Sequence, residues 1–78
     1  MINLQETLTN IAKAIVDSPN EVKVTQEEDE KTVTLNLTVA PDDMGMVIGR
    51  HGKIAKAIRS VMKAAAVNSG KKVNVDIR

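Results

Sequence analysis

Apolar residues recur along the chain at two distinct periods. Leu4, Leu8, Ile11 and Ile15 mark one face of an amphipathic helix, which Ala12 and Val16 widen. Ser18-Pro19-Asn20 ends it, because proline disfavours helix in the residue before it. Val22 and Val24 then alternate with Lys23 and Thr25, predicting a short strand, and Glu27-Glu28-Asp29-Glu30 reads as a polar turn. Val33, Leu35, Leu37 and Val39 alternate with Thr32, Thr34, Asn36 and Thr38, the clearest strand in the chain. The two runs predict a hairpin.

Pro41 stops the second strand, and Asp42 or Asp43 can cap a following helix by accepting from its free N–H groups. That helix is short, Met44 to Ile48, and Gly49 closes it. After Gly52 a long stretch rich in Ala and Lys predicts a helix from Lys53 to about Asn68. Asn68-Ser69-Gly70 ends it, with Gly70 as a left-handed cap. Val73, Val75 and Ile77 alternate with Asn74 and Asp76 in a last strand. The order α-β-β-α-α-β predicts an α+β fold, a three-stranded sheet with three helices packed on one face. The stretch between the last two strands is long enough for a parallel, right-handed crossover.

Composition narrows the function. The 78 residues fit one domain, 1–78, and 42% are apolar, enough for a core without staples. There is no Phe, Trp or Tyr, which excludes recognition by aromatic base-stacking platforms and aromatic cages. With no Cys and one His, neither a disulfide nor a structural zinc site is expected, and no cofactor or metal is implied. The absence of Cys fits a reducing, cytoplasmic compartment. No signal peptide is visible, and no apolar run approaches the length that spans a bilayer, so no membrane partner is expected.

The net charge of +1 hides a division. Residues 1–43 carry three lysines against nine acids, a sum of −6. Residues 44–78 carry eight Lys and Arg against Asp76 alone, a sum of +7. That asymmetry suggests a polyanionic partner for the second half. The alternative is that the halves neutralise each other across the fold.

The basic half surrounds the segment Val47-Ile48-Gly49-Arg50-His51-Gly52-Lys53-Ile54-Ala55-Lys56-Ala57-Ile58-Arg59. Glycine permits a sharp turn and a close backbone approach. Free N–H groups at the start of the next helix favour an anion. A Gly-x-x-Gly turn at this junction can therefore hold a nucleic-acid backbone with main-chain donors. Arg50 adds a permanent positive charge and His51 a conditional one. The longer phosphate loop ending in Gly-Lys-Ser/Thr is absent, which excludes a P-loop NTPase.

This segment resembles the KH domain, a module whose Gly-x-x-Gly loop clamps four nucleotides. The element order is similar to the type II, prokaryotic arrangement, and the likeness covers essentially the whole chain. Within that group it looks similar to the KhpA-like family of small bacterial single-KH-domain proteins. The resemblance implies a cytoplasmic RNA-binding protein, an RNA chaperone or post-transcriptional regulator linked to cell shape and cell-wall biogenesis. It also implies self-association as a homodimer and pairing with a KhpB/Jag-type RNA-binding protein. In type II domains the loop before the last strand walls the groove, which adds Lys71 and Lys72 as secondary contacts. One departure is Ala55, where many KH domains carry a bulky aliphatic residue, predicting a shallower groove. His51 is less basic than the lysine often found in this loop.

Read at about 100° per residue, the long helix places Ile54, Ile58, Val61 and Ala65 together. Ala55, Ala57, Met62, Ala64 and Ala66 flank them. The arc of about 200° exceeds the roughly 100° that suffices for one core. One part should face the sheet and another the nucleotide groove or a second subunit. Ile58, Val61, Met62 and Ala65 are the contacts this arc offers a second copy, shared with the core. Lys53, Lys56, Arg59 and Lys63 share the opposite side with Ser60. Lys53 and Lys56 sit in the first turns, well placed to neutralise phosphates. Arg59 and Lys63 lie further along and add to the field. Met44 and Met46 read as core or groove lining.

Two functions from different classes fit. In the first the chain binds single-stranded RNA: Gly49, Arg50, His51, Gly52, Lys53 and Lys56 hold phosphates. Bases then lie in an apolar groove of Ile48, Ile54, Ile58 and the last strand. In the second it is a protein-interaction module with a vestigial loop. An enzyme is not expected, since no nucleophile–base–orienter set is present.

Overall fold

Asn3 opens the first helix, where its side chain accepts from the Glu6 N–H at 3.0 Å. The computed structural model describes residues 3–78. Met1 and Ile2, part of the expected 1–78 domain, lie outside the described residues. Helix α1 (Leu4–Ile15) buries Leu8 and Ala12 completely and lays Leu4, Ile11 and Ile15 against the same core. A single 3-10 turn at Pro19–Glu21 leads into the sheet.

Strands β1 (Lys23–Glu28) and β2 (Thr32–Thr38) pair antiparallel, from Lys23 opposite Thr38 to Glu28 opposite Val33. The first strand is longer than the sequence predicts, and the polar turn is correspondingly shorter. Gln26, Glu27 and Glu28 extend β1 because β2 offers backbone partners and this end of β1 leaves their side chains in solvent. The turn is the three residues Asp29, Glu30 and Lys31, and Asp29 organises it. Its carboxylate accepts from the N–H of Lys31 at 2.8 Å and of Thr32 at 2.7 Å, an Asx turn.

Strand β3 (Lys72–Ile77) lies parallel to β2, giving the sheet order β1-β2-β3 and the crossover expected between its last two strands. Val24, Val33, Leu35, Leu37, Val73 and Val75 face the helices. The opposite face carries Thr25, Glu27, Thr34, Asn36, Asn74 and Asp76, a polar surface with solvent as its partner. Leu8, Leu35 and Leu37 are fully enclosed, each contributing roughly 1.5–3 kcal/mol.

Pro41–Asp43 form a 3-10 turn ahead of helix α2 (Met44–Ile48). The sequence assigns Asp42 or Asp43 as a cap of this helix, and the structure corrects that. Neither side chain caps it. Asp43 is 2% exposed and turns back to the end of α1, accepting from Ser18 N–H at 3.0 Å and, more loosely, from Asp17 N–H at 3.4 Å. Helix α3 (Lys53–Ala65) ends before Asn68, and the remaining residues, Val67–Ser69, form a 3-10 turn. Gly70 is left-handed at φ 73°, as its position predicts.

Candidate nucleic-acid interface

Residues Gly49 to Gly52 turn the chain between α2 and α3 with positive φ at three of the four positions. Gly49 has φ 74° and ψ 176°, a combination essentially confined to glycine. His51 sits at φ 57°, the only non-glycine with positive φ among the described residues. Gly52 follows at φ 74° and ψ 14°. The turn is closed by its own backbone: Gly49 N–H donates to Gly45 O at 2.9 Å and Gly52 N–H to Gly49 O at 3.2 Å. Among the described residues, the Arg50 and His51 N–H groups donate to no backbone or side-chain acceptor. Both side chains are exposed.

An apolar step adjoins the loop. Ile48 is 39% exposed just before it, and Ile54 is 38% exposed just after it. Of the three isoleucines expected in the groove, Ile48 and Ile54 are thus open to solvent and Ile58 is not. At 3% exposure Ile58 belongs to the core, and this corrects its assignment to both groove and dimer contact. Met62, fully buried, is likewise withdrawn from the dimer contact. The physical reason is rotation. Burial on α3 centres on Ala55, Ile58, Met62 and Ala66, one edge of the apolar arc rather than its middle. Ile54, Ala57, Val61 and Ala64 remain exposed along the other edge, with Ala65 half-buried between. Ala55 is 5% exposed, so its small size is felt beneath the helix and not in an open groove.

Lys53, Lys56, Arg59 and Lys63 are all exposed on the third side of α3. Arg59 leans onto the sheet edge, its Nε donating to Val75 O at 3.3 Å. With Ser60, Lys63, Lys72 and Asp76 it lines an open groove of about 530 Å³ between α3 and β3. Among the described residues, none of these cations except Arg59 is engaged by another group. Lys71 differs. It pairs with Glu28 and donates to Asp29 O at 2.9 Å, at the hairpin end of the sheet. Lys72 has no such partner among the described residues.

The Lys71 ammonium, by hydrogen bond and charge, holds the Glu28 carboxyl below its ordinary range. Asp29 is also lowered, first by the Lys31 N–H and then by the Thr32 N–H. Acid and base thus meet at the hairpin end of the molecule, whereas the loop end is basic without compensation. Among the described residues no three His, Asp or Glu side chains gather as a metal site, and no helix is long and apolar enough to cross a membrane.

The sequence model of the KhpA/KhpB KH-domain family matches residues 5–77. The chain is 53% identical over 74 residues to the RNA-binding protein KhpA of Clostridium acetobutylicum, covering 95% of this chain and 99% of that one. It is 50% identical to KhpA of Clostridium perfringens over 74 residues, with the same coverage. Identity to KhpA of Listeria monocytogenes is 40% over 74 residues, 95% of this chain and 97% of that one. Among solved structures, the fold is similar to part of Aquifex aeolicus Era bound to GDP·AlF4−, with a TM-score of 0.70 at 15% identity. This chain covers 29% of that protein with 95% of its own length. Era in complex with MgGDPNP and a segment of 16S ribosomal RNA matches with a TM-score of 0.71, also at 15% identity, over 28% of its length. At that identity the likeness concerns the fold.

Proposed function

The chain belongs to the KhpA/KhpB KH-domain family, and on that premise we propose that it binds single-stranded RNA through the Gly49–Gly52 loop. One observation carries the reading. Arg50 and His51 present unengaged main-chain N–H groups and exposed basic side chains at the same turn. Phosphate oxygens take both kinds of donor, and such contacts position a strand without reading its bases. Lys53 and Lys56 extend the positive surface along α3, and Lys72 marks its far end. Bases rest against the aliphatic step of Ile48 and Ile54, without stacking. The chemistry is binding, not catalysis.

The exposed edge of α3 supports a second element of the proposal. Val61 is 49% exposed, and Ile54, Ala57 and Ala64 continue the same stripe. A second copy laid on it makes a homodimer, and a KhpB/Jag-type KH protein is the alternative occupant. Membership of the family extends the reading to an RNA chaperone or post-transcriptional regulator in the cytoplasm, tied to cell shape and the cell wall. Titration of the labelled protein with short single-stranded RNA oligomers, followed by amide chemical shifts, tests the loop reading. Shifts at 48–56 support it. Shifts confined to Val61 and its neighbours, or none at all, point to the protein-interaction module instead.

A further inference from the structure

Asp43 is a charged side chain inside the molecule with no part in the phosphate surface. It is 2% exposed, the one buried polar or charged residue among those described. Its oxygens receive the Ser18 N–H at 3.0 Å and, at 3.4 Å, the Asp17 N–H, both at the point where α1 ends. Those donors are 25 and 26 residues away in sequence.

Helix α2 has five residues, too few to persist on its own local bonds. Its placement must come from contacts at its ends. Val47, fully buried, fixes one point beneath the helix. Met44, partly buried, packs against the same core from the first turn, and Asp43 ties the entrance itself to the end of α1. The Gly49 turn is bonded directly to this helix, through Gly49 N–H to Gly45 O at 2.9 Å. A pivot of α2 therefore moves the Arg50 and His51 donors relative to Lys53 and Lys56, which ride on α3.

We propose that Asp43 is a positioning residue for the RNA-binding loop, acting through α2 and touching no nucleotide. The inference rests on the RNA-binding reading of the loop. Removing the carboxylate leaves the Ser18 and Asp17 N–H groups without this acceptor and unties the entrance of α2 from the end of α1, while the sheet keeps its ladders.

Asp43→Ala and the near-isosteric Asp43→Asn test this, with exposed Asp42→Ala as control. Affinity for a short mixed-sequence oligoribonucleotide is measured where denaturant curves place each variant almost wholly folded. Amide exchange is read in parallel at Gly49 and Gly52, whose N–H groups close the turn, and along β2. The expected result is an affinity loss of about tenfold for Asp43→Ala, a smaller one for Asp43→Asn and none for Asp42→Ala. Exchange should rise at Gly49 and Gly52, the bonded amides of the turn, and stay unchanged in β2. Unaltered affinity in folded Asp43→Ala, or exchange rising equally in β2 and the loop, overturns the proposal and leaves Asp43 a general stabiliser. Wild-type protein that binds no oligomer overturns the RNA reading itself, and loop exchange in the variants still decides whether Asp43 positions the turn.

Discussion

Ile54 lies directly over the bare Cα of Gly49. A Cβ built there would stand 2.9 Å from Ile54 Cβ and 3.0 Å from the Ile54 backbone nitrogen. The first turn of α3 is thus packed onto the residue that caps α2, and the loop between them is held at its base. Gly52 differs: a Cβ there meets nothing within 4 Å, and only its positive φ asks for glycine.

The two glycines should therefore respond unequally to the same change. Gly49→Ala meets both the collision and the strained backbone and should cost about 1–3 kcal/mol from the backbone alone, with more from the contact. Gly52→Ala should cost about 1–2 kcal/mol. Urea denaturation of both variants makes the comparison, and equal losses would contradict it. Ile54→Ala should recover part of the Gly49→Ala deficit.

The division of α3 between core and surface predicts opposite outcomes for neighbouring positions. Met62→Ala should destabilise by about 2–5 kcal/mol, since it empties a fully enclosed site. Val61→Glu should leave stability within about 0.5 kcal/mol and weaken self-association. Analytical ultracentrifugation over a concentration series reads the second effect. An unchanged mass distribution would remove the Val61 stripe from the dimer contact.

Phosphate contacts make affinity fall with salt, by about 0.7 in the log–log slope for each phosphate neutralised on a single strand. Lys56→Ala should lower affinity and flatten that slope by about one contact. Lys71→Ala should leave both unchanged, because its ammonium is bonded to Glu28 and Asp29. Fluorescence titrations at several salt concentrations distinguish the two lysines.

The hairpin end carries the acid sensitivity. The Glu28 and Asp29 carboxyls are held below their ordinary values of 4.5 and 3.8 in the folded chain. Their stabilising contribution is therefore complete above those values and is lost as pH falls through the lowered ones. Urea midpoints should drop over that acidic range. Lys71→Met should remove the part due to Glu28 and keep the part due to Asp29, whose carboxylate is held by backbone N–H groups.

Much of this fold is written in local periodicity. The alternation from Val33 to Val39 marks β2 and its buried face directly, and Asn68-Ser69-Gly70 marks a helix end. What local patterns omit is set by distant partners. Glu27 and Glu28 look like turn residues, and only the pairing with Thr34 and Val33 makes them strand. The apolar arc of α3 was legible, but its centre of burial was not. Ile58 and Val61 are alike in type, and the sheet and α1 decide which is enclosed. Lys71 was legible as a cation near the last strand, yet its partner Glu28 lies 43 residues away. Asp43 gave no signal beyond its capping chemistry, because its true acceptor role depends on where α1 ends. The loop itself was legible because glycine, unlike the other residues, announces its backbone requirement in the sequence.

The near-neutral total charge proves uninformative about partners. Glu28 and Asp29 consume Lys71 at one end of the molecule, and Arg50, Lys53 and Lys56 stand uncompensated at the other.

The central claim is that the Gly49–Gly52 turn holds the RNA backbone. Arg50→Asp combined with His51→Asp tests it most directly, since both side chains are exposed and the turn is closed by other groups. The circular dichroism spectrum and urea midpoint should stay unchanged. Affinity for single-stranded RNA should fall about a hundredfold or more, two phosphate-facing donors having become anions. A folded double variant that binds RNA as tightly as the wild type would contradict it.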